Sequence, residues 1–219
     1  MIGVYDYTVL LTYLGFASGI IGIVEAAQGN TYYAIICLMF SGLCDMFDGR
    51  VARTKKNRSK EERQFGVQLD SLSDIVCFGV LPTAIGYSLG INKGFLLLIL
   101  IFYPIAGLIR LAWFNVLEIT RNSNTPVKEY TGLPITSAAL IFPLIYIFKT
   151  FLKNRFMYLY AITMLIVGLL FISKIKIKKP SIKVMIAFIL IGVIEILLIL
   201  MVSRLVWYIY LEKEIVKKI

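Results

Sequence analysis

The chain has 219 residues, 59% of them hydrophobic and 16% charged, with no histidine, three cysteines and a formal net charge of +10. A mean hydropathy of +0.83 excludes an ordinary soluble domain, and the lack of histidine excludes every His-based metal site and the commonest general base. The basic balance suits either nucleic acid or an anionic membrane surface; because the charges fall between long apolar runs, the membrane is the expected partner and nucleic acid is not.

Helices are predicted over 8–28, 31–54, 64–90, 93–120, 133–150, 154–172 and 181–211, each long enough to approach the roughly 20 residues that cross a bilayer. Barrel strands would be shorter and would alternate. The first run starts near Thr8 with no Lys or Arg before it, so it lacks the basic n-region of a secretory signal and reads as a permanent span. Gly29-Asn30 ends it. The second run holds Cys37 and Cys44 and closes in a polar stretch, 45–63, that separates it from the third, which holds Cys77. The cysteines lie in apolar surroundings without CxxC pairing and read as buried free thiols. Later breaks are Gly90-Ile91-Asn92, Asn122-Ser123-Asn124 with Pro126, Asn154, and a lysine-rich stretch ending in Pro180. Gly132 and Pro134 read as punctuation before the fifth helix. Trp207, Tyr208 and Tyr210 read as an interfacial aromatic belt. The expected fold is all-α, a polytopic membrane helix bundle in a single transmembrane domain, 1–219.

Fourteen Lys and Arg fall in or beside the 2–3, 4–5 and 6–7 connections, and seven fall at the other end of the bundle, Lys213, Lys217 and Lys218 of the tail included. By the excess of positive charge on the inner side, the 2–3 connection is predicted to face the cytoplasm.

That connection contains the most informative feature of the sequence. Asp45, Asp48, Asp70 and Asp74 are four of the five aspartates in the chain. Asp45, Asp48, Gly49 and Ala52 share one helical face, and Gly66, Asp70 and Asp74, four apart, share another. Small residues beside the carboxylates leave room for something bulky or let helices approach. Asp6, Glu61 and Glu62 read as surface charges, whereas the four aspartates adjoin apolar helix, where ionised groups are costly and mark functional sites. Arg50 and Arg53 offset part of the charge. Divalent cations offset the rest, and with oxygen-only ligands magnesium, manganese or calcium suits the site. Paired cations beside Arg53 make a place for phosphates and for in-line displacement, with a nearby carboxylate available as a base.

The pattern Asp45, Asp48, Gly49, Ala52, Arg53, Gly66, Asp70, Asp74 resembles the signature of the CDP-alcohol phosphatidyltransferases. Twelve residues, 54–65, separate Arg53 from Gly66, about four more than that family usually has, which predicts a longer turn with the site intact. The resemblance implies a six-helix core, about 5–172, with the C-terminal span as an addition, and a homodimer. It implies two divalent cations, Mg2+ or Mn2+ with Ca2+ as a possible occupant, held by Asp45, Asp48, Asp70 and Asp74, with Asp74 as the base. Asp45, Asp48, Gly49, Ala52, Arg53 and Gly66 would surround the CDP moiety of CDP-diacylglycerol, at the cytoplasmic face of the cell membrane.

The stretches 7–19 "YTVLLTYLGFASG", 69–82 "LDSLSDIVCFGVLP", 107–116 "GLIRLAWFNV" and 130–139 "YTGLPITSAA" are similar to the branch that accepts L-serine, the membrane-embedded phosphatidylserine synthases. Arg110, inside the fourth span, needs a partner, either a protein carboxylate such as Glu118 or the carboxylate of serine. Asn115 and Thr131 are the other candidates for the acceptor pocket, although each also suits a purely structural role; Thr136 and Ser137 suit helix packing. Two alternatives stay open: the same chemistry on glycerol 3-phosphate or an inositol phosphate, and a divalent-cation transporter, which would want midplane polar groups and an internal repeat. Gly15, Gly19 and Gly22 are expected to pack the first helix, within or between protomers.

Overall fold

The computed structural model of the protein describes residues 3–120, 129–178 and 184–201. The aromatic belt at Trp207, Tyr208 and Tyr210, the 4–5 loop at 121–128, Pro180 and the tail lysines lie outside the described residues, as does the side chain of Glu118.

Helix α1 (Leu10–Ala27) and helix α2 (Thr31–Thr54) form an antiparallel pair joined by a turn at Gly29. The pairing is close because the glycine stripe of α1 faces the cysteines. A Cβ on Gly15 would lie 3.1 Å from Cys44 Cβ, one on Gly19 2.7 Å from Cys77 Sγ, and one on Gly22 2.8 Å from Cys37 Cβ. The small-residue interface thus packs helices within the protomer. Two hydroxyls fasten it, Ser41 Oγ donating to Gly15 O at 2.9 Å and Ser18 Oγ to Cys37 O at 3.0 Å. All three cysteines are free, as expected; Cys44 and Cys77 are buried, whereas Cys37 is half-buried.

Helix α3 (Lys60–Asp74) starts four residues earlier than the periodicity predicts. Ser59 and Glu62 form a reciprocal capping box, with Glu62 N donating to Ser59 Oγ and Ser59 N to Glu62 Oε2, both at 3.1 Å. Asp70 and Asp74 therefore lie in the last turns of α3. Beyond Asp74 the chain widens into a π-helical segment, Ile75–Val80, before resuming as α4 (Leu81–Ser88); together they form a rod, Lys60–Ser88. Pro82 has no N–H to give to the ladder. Here Tyr103 donates its hydroxyl to Phe78 O at 2.8 Å, and Tyr160 donates to Pro82 O at 3.0 Å.

Helix α5 (Gly94–Thr120) supplies Tyr103 and runs beside the later α8 (Phe156–Phe171). Between them come a 3-10 turn (Ile135–Ser137), α6 (Ala138–Tyr146) and the short α7 (Lys149–Leu152). Phe78, Tyr103, Phe142, Phe156, Tyr160 and Phe171 form the aromatic centre, each at most 2% exposed. Large apolar side chains such as Leu14, Leu98, Trp113, Ile166 and Leu197 cover the outside, as on a surface meant for lipid. Helix α9 (Val184–Met201) is the described part of the additional span.

Among the described residues, five helical segments are long and apolar enough to cross a membrane: Leu10–Ala27, Lys60–Ser88, Gly94–Leu117, Lys149–Phe171 and Val184–Met201. The other two predicted spans differ for identifiable reasons. α2 carries Asp45, Asp48, Arg50 and Arg53 in its second half, and the fifth is shortened to Ile135–Tyr146, with Pro143 inside it.

One feature was not foreseen. Glu129–Thr131 (β1) and Lys176–Lys178 (β2) pair as a short antiparallel ribbon, with Tyr130 opposite Ile177. Gly132 follows it. It is more than punctuation: at φ +79 it slides under the end of α8, where a Cβ would lie 2.5 Å from Phe171 O, and its N–H donates to Ile175 O at 2.8 Å.

Gly132→Ala is expected to lower the unfolding midpoint in detergent through both a left-handed backbone, about 1–2 kcal/mol, and the clash with Phe171 O. Gly94→Ala, at φ +58 but with open space around it, should carry the backbone cost alone. Equal midpoints for the two variants would contradict the close approach at Gly132.

Candidate active site

The second half of α2 and the last turns of α3 bring the predicted aspartates together. One carboxylate oxygen from each of Asp45, Asp70 and Asp74 lies within 4.8 Å of the other two. Asp45 also comes within side-chain hydrogen-bonding range of Asp74, and Asp48 of Asp70. Asp48 is not one of the grouped three. It is 8% exposed and accepts from Thr12 Oγ1 of α1 at 2.8 Å. Thr12 is therefore a site residue that sequence reasoning missed; its hydroxyl one turn before Gly15, on the face turned toward α2, was the available signal. A small cavity of about 10 Å3, room for about one water-sized probe, lies beside Asp45, Asp48 and Asp74 and is closed by Thr12, Ser41 and Ser73.

No salt bridge among the described residues reaches this cluster. Among the described residues the salt bridges are those of Lys55, to Asp6 at 2.7 Å and to Glu62 at 2.9 Å. Arg50 turns the other way, its Nη2 2.7 Å from Met185 Sδ on α9. Arg53 is exposed and lies back over Gly49, its Nη2 4.0 Å from where a Cβ there would sit. Arg110 of α5 is near enough to Asp45 for their charges to interact. Three carboxylates with oxygen atoms this close, half-buried to buried, match the oxygen donor set of a hard divalent cation.

The remaining predicted residues fall into two groups. Gly49, Ala52 and Arg53 follow Asp48 in the last turns of α2, and Gly66 lies one turn before Asp70 on α3. Asn115 also reaches it, accepting from Ser71 Oγ at 3.0 Å and so tying α5 to the turn between Asp70 and Asp74. Thr131 is exposed on the ribbon, opposite Lys176.

The longer turn contributes an unforeseen residue. Arg58 donates to Ala52 O at 3.5 Å and to Glu62 O at 3.1 Å, and its Nη2 would stand 2.8 Å from a Cβ on Gly66. Its buried Nε has no hydrogen-bond partner among the described residues. A planar cation with neutral partners thus sits between Ala52 and Gly66. Its signal in the sequence was an arginine inside the additional residues.

Comparison with known proteins fits this geometry. The family model for CDP-alcohol phosphatidyltransferase matches residues 8–172. The chain belongs to the CDP-alcohol phosphatidyltransferase family. Among curated relatives it is similar to a CDP-diacylglycerol--serine O-phosphatidyltransferase of Saccharomyces cerevisiae, 38% identical over 64% of this chain and 52% of that protein. It also resembles proteins of the same name from Helicobacter pylori, 32% identical over 78% of this chain and 71% of that one, and from Methanocaldococcus jannaschii, 32% identical over 85% and 79%. The chain thus spans about half the length of the yeast relative and more of the other two. No solved structure matches.

The segment before α1 is clipped to the α2–α3 turn by Lys55, whose ammonium, helped by the Thr8 hydroxyl, holds Asp6 down at about 2 from an ordinary 3.8. A depressed carboxylate contributes stability above its unfolded value and loses it as pH falls through the folded one. The midpoint difference between wild type and Asp6→Asn should therefore be constant above pH 3.8 and shrink toward zero near pH 2; a difference that persists at pH 2 would contradict the pairing. The pair is partly open to solvent, so the effect is small.

Proposed function

We propose that the protein transfers the phosphatidyl group of CDP-diacylglycerol to the hydroxyl of L-serine, giving phosphatidylserine and CMP, at the cytoplasmic face of the membrane. The observation that carries this reading is the convergence of Asp45, Asp70 and Asp74 from two adjacent helices, with their ligand oxygens within 4.8 Å of one another. The names of the relatives and the position of Arg110 beside that cluster support serine as the acceptor.

Two divalent cations, magnesium or manganese, would be held by Asp45, Asp70 and Asp74, with Asp48 steadied by Thr12 at the edge; when bound they supply charge stabilisation for the pyrophosphate and its leaving group. The acyl chains of the donor stay in lipid. Arg53 and Arg58 flank the nucleotide side, over Gly49 and Gly66, where a side chain would obstruct a ligand. Arg110 pairs with the serine carboxylate, and Asn115 holds the Asp70–Asp74 turn through Ser71. Asp74 accepts the proton of the serine hydroxyl as the serine oxygen bonds to the lipid-side phosphorus and the bond from that phosphorus to the CMP oxygen breaks. A homodimer is the assembly this reading implies.

CMP release from CDP-diacylglycerol, measured with and without serine and manganese, tests it. Release is expected to need both, and neither glycerol 3-phosphate nor an inositol phosphate should replace serine. Metal uptake into proteoliposomes without CMP release would instead favour a transporter.

Asp74→Asn should reduce turnover by about 100-fold or more while nucleotide binding persists; normal turnover would remove Asp74 as the base. Arg58→Ala should raise KM for CDP-diacylglycerol on the order of tenfold, as expected for a lost charge-assisted contact, with KM for serine unchanged. An unaltered donor KM would place Arg58 outside the nucleotide site.

A further inference from the structure

A second cavity lies far from the carboxylates. At the opposite end of α2, roughly 20 Å from Asp45 along the helix, the α1–α2 turn, the end of α4 and the α7–α8 turn enclose about 350 Å3. This is within the range of small-molecule sites. Thr31, Ser88, Lys149, Lys153 and Asn154 supply its polar lining, and no acidic residue lines it.

Lys149 is held in place. Its ammonium donates to Thr31 Oγ1 at 2.5 Å and Tyr146 OH at 3.1 Å, and stands 5.0 Å from the centre of the Tyr146 ring. An ammonium has three donors, so one remains for a ligand. Lys153 sits at φ +48, the one described non-glycine residue with positive φ, a conformation that costs energy and recurs where a side chain is held for binding. Neither lysine forms a salt bridge among the described residues. Glu25, the acidic residue nearest in sequence to the α1–α2 turn, accepts from Asn30 Nδ2 at 2.9 Å.

Thr31, the first residue of α2, also lines the cavity. The first turn of α2 has no acidic residue and no side-chain cap, so its N–H groups add to the positive field of the lysines.

We propose that this pocket binds a phosphate-bearing anion, with Lys149 and Lys153 as its charged contacts. The phosphate comes either from a lipid headgroup at that face of the bilayer or from a soluble phosphate. The proposal is independent of the reaction at the carboxylates, whose substrates act at the other end.

The test uses the full chain in an uncharged detergent with magnesium, titrated in one arm with inorganic phosphate and in the other with mixed micelles containing phosphatidylglycerol against phosphatidylcholine. Binding and the unfolding midpoint are followed in wild type, Lys149→Gln, Lys153→Gln and the double variant. Loss of about fivefold in affinity per lysine is expected. If the loss occurs in the phosphate arm the ligand is soluble, and if it occurs only with phosphatidylglycerol the ligand is a headgroup. Lys149 also bridges Thr31 and Tyr146, so Lys153→Gln, which breaks no hydrogen bond of the described residues, is the variant that decides should the other unfold. Equal binding by wild type and Lys153→Gln in both arms would overturn the proposal.

Discussion

The bundle is organised around a repulsion. Asp45, Asp70 and Asp74 hold carboxylate oxygens within 4.8 Å of each other, and two like charges at about 4 Å oppose each other by about 4 kcal/mol at the effective dielectric of a protein surface. Nothing local in α2 or α3 favours that arrangement. It is held by contacts on the far sides of both helices. The glycine stripe of α1 draws α2 and the α3–α4 rod onto one surface, Thr12 secures Asp48, and Ser71–Asn115 and Phe78–Tyr103 secure the rod to α5. Two neighbouring helices, α1 and α5, thus hold two others in a geometry that positive charge between the carboxylates would favour.

The aspartate pairs could be recognised without coordinates because spacings of three and four put them on helical faces, and because carboxylates against apolar helix are conspicuous. The Ser59–Glu62 capping box was equally visible in the chain and would have moved the start of α3 back to Lys60. Other parts of the site are tertiary. Thr12 is 36 residues from Asp48, and no periodicity connects them. Arg58 reads as one of several basic loop residues until the turn folds its guanidinium over Gly66. The inference that Arg50 would offset the aspartates failed because a helical arginine at that position points around α2 to Met185.

Hydrophobic runs marked the helices and their order but blurred whatever was short or irregular. The ribbon between Glu129–Thr131 and Lys176–Lys178 was hidden because one of its strands lies in a lysine-rich stretch whose charges suggested only an anchor at the membrane surface. Thr131 lies on that ribbon, opposite Lys176, an arrangement its local string does not show. Pro143 and the 3-10 turn shortened α6 in a way that composition alone does not reveal.

The wider coil at Ile75–Val80 has a consequence for how the chain can change. Each residue of an α-helix turns the chain by about 100°, and a π segment absorbs a residue that a regular helix could not accommodate at that bearing. The stretch therefore works as a phase adjuster: upstream, Asp70 and Asp74 are aimed at α2, while downstream Leu81 and Ile85 are aimed into the core. Removing a single residue from it would force one of these two headings to be abandoned, so length here is under tighter constraint than side-chain identity.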